Sequence, residues 1–262
     1  MWQNLSSLQE KVRSAVEQYF GRVVEAFPSQ VDSCYLYGSV VTSDFQLGRS
    51  DINSLVLFET FMHAEMERMR PIVQSGLKEK IVAPLCLSVS TFERSADTFP
   101  LEFIEIQDKH LQLYGERNRV QALEIKPEDL RLKLEEQIKG KLIRLREIFM
   151  ESGDQPKLLL KVLSTAQRDL YPVFRNLLRL KTGQVPPVVK EAVLNELEVQ
   201  ANVSTASCQQ IWSHIHQNQK IDLKGVSSLY GEYVDLLTKL STLIDSMEKS
   251  GGGPHEGSNA QS

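Results

Sequence analysis

The residues with the most chemical potential lie in LYGSVVTSDFQLGRSDINSLVLFE, residues 36–59. Gly38-Ser39 follows one short apolar segment, and Asp51-Ile52-Asn53 opens the next. A glycine at such a point lets the backbone approach a phosphate closely, and a serine with free amide groups can bind phosphate oxygens. Asp51 and Asn53 stand two apart, so on a strand their side chains project from one face. Oxygen donors gathered on one face suit a hard divalent cation such as Mg2+. Arg49, two residues before Asp51, is placed either to meet a phosphate or to hold the loop.

The order of strand, Gly-Ser, helix and acidic pair on the next strand resembles the signature of the polymerase-β-type nucleotidyltransferases, where the pair is Asp-x-Asp. What the resemblance implies is a nucleoside triphosphate bound near Gly38, Ser39 and Asp51, with Mg2+ as cofactor. A nucleoside monophosphate would then pass to a hydroxyl on a small molecule, a protein or RNA. The metal ligands implied are Asp51, position 53 and a third carboxylate from a neighbouring strand, expected in PLEFIEIQ (100–107). Glu102 and Glu105 fall on opposite faces of such a strand, and Glu102, with Ile104 and Ile106 on its own face, fits the family order better. FPLEFIEIQDKHLQLYGE (99–116) and GKLIRLR (140–146) extend the likeness to bacterial nucleotidyltransferase-domain proteins with a C-terminal helical bundle, a kanamycin-nucleotidyltransferase-like layout.

Two departures weaken the catalytic expectation. Asn53 offers a neutral carbonyl where the family has a second acid, and Glu102 replaces the usual aspartate. Phosphoryl transfer rests on positioning and electrostatics, so a lost charge is costly. The competing expectation is a catalytically inactive relative kept as a regulatory or interaction module.

The elements that must position these groups follow from periodicity. Leu5, Leu8, Val12, Ala15, Tyr19 and Val23 recur at helical spacing up to Pro28. Strands are expected over 33–38, 51–59, 83–90 and 100–107, with a helix over 61–79 interrupted at Pro71. The class is α+β, a small mixed sheet with helices followed by an all-α antiparallel bundle. The expected division is 1–120 for the nucleotidyltransferase-like domain, 121–248 for the bundle and 249–262 for a disordered tail.

The bundle half predicts helices over about 127–151, 156–181, 186–200, 205–217 and 223–248, with Pro186-Pro187 opening the third and Ser204 capping the fourth. Lys157, Lys161, Arg168, Arg175 and Arg179 fall on one face of the second helix, and residues 131–181 hold 12 basic and 6 acidic side chains. The bland account is a solvated outer face broken at Pro172, and the functional one is a surface for RNA or triphosphate. Lys141 sits within the stripe Leu134, Ile138, Leu142, Leu145, where an inward lysine needs a partner or a phosphate; it is expected either to reach the cleft between the domains and bind a nucleotide phosphate or to snorkel to the bundle edge. Glu135 and Glu136 are the candidates for a general base.

Composition excludes several classes. The 262 residues are 41% hydrophobic, enough for one large or two modest domains, and 30 basic against 34 acidic side chains exclude a histone-like binder. Residues 1–120 carry 12 basic and 16 acidic groups, so the acidic excess lies where a metal site would be. Cys34, Cys86 and Cys208 are too few and too far apart for a disulfide framework or a metal knuckle. No run is apolar enough for a membrane span, and the cytoplasm is the expected location.

Overall fold

The computed structural model describes residues 2–42, 45–153, 155–217 and 219–248. The chain divides between Lys126 and Pro127 into two compact units.

The first unit is built on four short strands. β1 (Val31–Tyr37), β2 (Asn53–Phe58), β3 (Leu85–Ser88) and β4 (His110–Tyr114) form a mixed sheet in the order β3-β2-β1-β4. β1 runs antiparallel to β2 and β4, and β2 runs parallel to β3. α1 (Glu10–Ala26) and α2 (His63–Gly76) cover one face, packing Val16, Phe20, Val23 and Ile72 with Cys34, Leu36, Val56 and Phe58. The opposite face packs Tyr35, Leu55 and Leu57 on Phe92, Phe103, Ile106 and Val120 of α3 (Val89–Arg94), α4 (Pro100–Asp108) and α5 (Arg119–Ala122). Burial on both faces explains why β2 reads as an unbroken apolar run. α2 continues through Pro71, just past its midpoint, and ends at Gly76.

Two local expectations are corrected. Residues 100–107 form helix α4, and the strand comes afterwards, over 110–114. Pro100 occupies the first turn, where its missing N–H costs nothing, and Glu102 favours the helix N-terminus. Leu101, Phe103, Ile104 and Ile106 are all buried, so two faces of a short helix are covered and the period-2 reading fails. The helix expected after Gly38-Ser39 is a four-residue 3-10 turn, Gly38–Val41.

The second unit is helical: α6 (Pro127–Glu151), α7 (Pro156–Thr182), α8 (Lys190–Ala201), α9 (Ala206–Gln217) and α10 (Val226–Glu248). Leu130, Leu134, Ile138, Leu142 and Leu145 give α6 its buried stripe. α7 packs against α6, α8, α9 and α10, and it is buried along its length at helical spacing. It runs unbroken through Pro172, whose carbonyl accepts a bond of 2.9 Å from Asn176 Nδ2. Pro186-Pro187 do not open α8, which starts at Lys190. The expected tail, 249–262, lies outside the described residues.

Candidate functional site

β1 ends at Tyr37, and Gly38 turns the chain with φ +80°, a backbone that favours glycine. The Gly38 amide donates to the Lys109 carbonyl at 3.0 Å, tying the turn to the entry of β4. Ser39 O accepts from Thr42 N at 2.9 Å and from Thr42 Oγ1 at 3.1 Å, while buried Val40 anchors the turn in the core.

Asn53 pairs with Tyr37 across the sheet, which brings it beside the turn. A Cβ on Gly38 would lie 3.7 Å from Asn53 Nδ2. Between Asp51 and Asn53, Ile52 is buried and clamped. Its amide donates to Lys80 O at 2.8 Å, and its carbonyl accepts from Val82 N at 3.3 Å. The clamp fixes the entry of β2 with Asp51 exposed and Asn53 half-buried. Arg49 is exposed in a turn closed by bonds from its own amide (3.0 Å) and that of Ser50 (2.8 Å) to Gln46 O. The sheet geometry thus brings Gly38, Ser39 and Asn53 together, with Asp51 and Arg49 on the segment leading into β2.

Glu102 is not on the sheet. It is exposed in the first turn of α4, so it does not share a strand face with Asn53. No neighbouring strand replaces it. β3 reads LCLS and β4 reads HLQLY, and neither contains an acid. Asp32 and Glu59 lie at the far end of the sheet, where Asp32 pairs with Arg119 at 2.8 Å. Among the described residues, no group of three or more His, Cys, Asp and Glu side chains is placed to hold a metal. Asp51 and the Asn53 carbonyl fit one hard cation completed by water and phosphate, and they do not fit a pair of ions.

The register also shows a residue that sequence reasoning missed. Tyr37 pairs with Asn53 on one side and with His110 on the other, so all three share a row and a face. Both ring nitrogens of His110 are engaged, Nδ1 with Gln107 O at 2.9 Å and Nε2 with the Asn118 amide group. The signal was the alternation His110-Leu111-Gln112-Leu113, which marks a strand just beyond the one expected.

In the second unit, Lys141 has a carboxylate partner, Asp169, at 2.7 Å. Its charge is met within the bundle, without a phosphate. Glu135 bonds Lys139 at 2.5 Å and Arg131 at 2.8 Å, and these cations lower its pKa; Glu136 pairs with Lys133 at 2.9 Å. A carboxylate held ionised this way is a poor proton acceptor. Arg175 is fully buried, donating to the carbonyls of Pro187 (3.1 Å) and Pro186 (3.4 Å), so it leaves the expected surface stripe. Arg179 is half-buried and donates to Asn176 Oδ1 at 3.1 Å.

No family model matches the chain, and no curated protein matches it. The fold itself is that of the polymerase-β-type nucleotidyltransferases, a mixed sheet with helices followed by a helical region. The solved structure that carries this comparison is a spectinomycin adenyltransferase from Enterococcus faecialis, determined with ATP and spectinomycin. It superposes with a TM-score of 0.53 at 13% identity, over 87% of this chain and 98% of that one.

Proposed function

We propose that the first unit binds a nucleoside triphosphate at Gly38-Ser39 with one divalent cation at Asp51, and that nucleotidyl transfer is suppressed in this chain. The observation that carries this reading is that Asp51 leads into β2 with the neutral Asn53 two residues on, and that neither β3 nor β4 carries an acid. In transferring enzymes the ions activate the attacking hydroxyl and offset charge on the departing pyrophosphate. Here Gly38 admits the phosphates, the amides of the short turn and Ser39 orient them, and Arg49 adds positive charge. The second unit, which begins at Pro127, is read as the helical domain that accompanies such a site.

A second reading is an active transferase with a hydroxyl acceptor. The likeness to an adenyltransferase solved with ATP and an acceptor favours it. Calorimetric titration with ATP, GTP, CTP and UTP, each with Mg2+ or Mn2+, tests binding, and silence from all four at millimolar concentration would remove the ligand. Label transfer from NTPs separates the two readings. Suppression predicts a silent wild type and a gain in Asn53→Asp; wild-type transfer that disappears in Asp51→Ala establishes the enzyme instead.

A further inference from the structure

Pairing separates five cations of α6 from three of α7. On α6, Arg131, Lys133, Lys139, Lys141 and Arg144 all have acidic partners within 3.1 Å. On α7, Lys157, Lys161 and Arg168 are exposed and have no ion-pair partner among the described residues. At 100° per residue these three fall within about 40° of one another, along about 17 Å of helix. The acid on α7 is Asp169, which is already engaged with Lys141.

The track does not continue along α7, because the following loop folds back over that face. Arg175 holds the carbonyls of Pro186 and Pro187, and Tyr171 Oη donates to Val188 O at 3.0 Å. This pinned loop delivers Lys190 to the first position of α8, where the helix N-terminus disfavours a cation. Lys190 Nζ lies 4.5 Å from the Trp212 ring centroid, and exposed His216 packs on the same indole with centroids 3.9 Å apart. Burial, then Lys190, then Arg168 lower the His216 pKa, so at neutral pH the imidazole is an uncharged ring beside two cations. Two cations, Arg168 from α7 and Lys190 from α8, thus flank the ring on α9, with Glu191 the acid that acts on it. A phosphate set between Arg168 and Lys190 would offset their mutual repulsion.

We propose that Lys157, Lys161, Arg168 and Lys190 form a track for the phosphates of a single-stranded polynucleotide, with a base stacked on the His216 ring. The track goes beyond the nucleotide site and uses none of its residues. An acidic polypeptide would satisfy the cations but leave the exposed ring without a role. A single strand uses both, since its phosphates meet the cations and its bases stack on aromatic faces.

The test is fluorescence anisotropy of the full-length chain with labelled U12 RNA and dT12 DNA. Four phosphate contacts predict a log–log salt slope of about −3, or binding about 50-fold weaker at 200 than at 50 mM salt. Replacing any one of the four cations by alanine makes the slope shallower by about 0.7. His216→Ala weakens binding at least about 5-fold with the slope unchanged. Lys133→Ala and Arg144→Ala, on the paired helix, leave binding as in wild type. The proposal is overturned by no binding to either oligomer at 50 mM salt, by equal losses from the α6 variants, by an unaffected His216→Ala, or by polyglutamate competing as well as U12. RNA bound in preference to DNA, or the two bound alike, both support it and identify the source of the strand.

Discussion

Asn53→Asp tests the site through stability, without knowledge of any acceptor. Asp51 and position 53 flank a clamped Ile52 in extended backbone, which puts two carboxylates on one face about 6–7 Å apart. Their repulsion is about 0.6 kcal/mol at the dielectric of water and about 2.5 kcal/mol at an effective value near 20. A domain of this size should therefore melt about 2–10 °C lower in EDTA. A divalent cation drawn to the new pair reverses the loss, and at ten times its Kd it restores about 1.4 kcal/mol. Wild type, with one carboxylate and a neutral amide, should respond to millimolar Mg2+ or Mn2+ much less. Differential scanning fluorimetry of both proteins, with and without metal, makes the comparison. A variant that melts like wild type in EDTA and ignores both metals would show that the two positions do not share a face, and the site as described would fall.

Two glycines with positive φ should respond differently to alanine. At Gly115 (φ +110°) a Cβ meets Asp32 O at 2.7 Å and Ser33 Cβ at 2.8 Å, so Gly115→Ala should cost about 3 kcal/mol or more; Gly38→Ala, with nothing nearer than 3.7 Å, should cost about 1–2 kcal/mol. Equal losses in urea unfolding would contradict this contrast. Glu135, whose pKa is lowered by Lys139 and Arg131, contributes stability above its ordinary value of 4.5 that is lost as pH falls through the folded value. Glu135→Gln should therefore flatten the stability profile below about pH 4.5, and an unchanged profile would refute the coupling. Burial raises the thiol pKa of Cys34 and Cys208 and lifts that of half-buried Cys86 to about 12. A thiol reagent at pH 8 should leave the native chain unlabelled and react with all three cysteines after unfolding; rapid labelling of the native chain would contradict the packing.

The motif was legible because it depends on local chemistry. Gly38-Ser39 and Asp51-Ile52-Asn53 carry their own turn and strand signals, and register alone sufficed to bring Gly38 beside Asn53. The helices of the second unit were readable for a similar reason, since α6 keeps one apolar stripe over 25 residues. The segment 100–107 was misread because a short helix buried on two sides shows the same apolar spacing as a strand, and Pro100 was the cue that favoured the helix. His110 was missed with it. Arg175 looked like part of a surface stripe because helical angle places it there. Only the tertiary fold shows that the Pro186-Pro187 loop lies over that end of α7. Lys141 was expected to meet a nucleotide phosphate or to snorkel; its partner, Asp169, is 28 positions away in sequence and invisible to local pattern.

The central claim is a phosphate site with a donor set for one cation. The measurement that tests it most directly is a crystal structure of the full chain soaked with a nucleoside triphosphate and Mn2+, read by manganese anomalous scattering. The account predicts the triphosphate against Gly38 and Ser39, with one manganese at Asp51. Two manganese ions bridged at Asp51 and Asn53, or a triphosphate bound elsewhere on the chain, would contradict it.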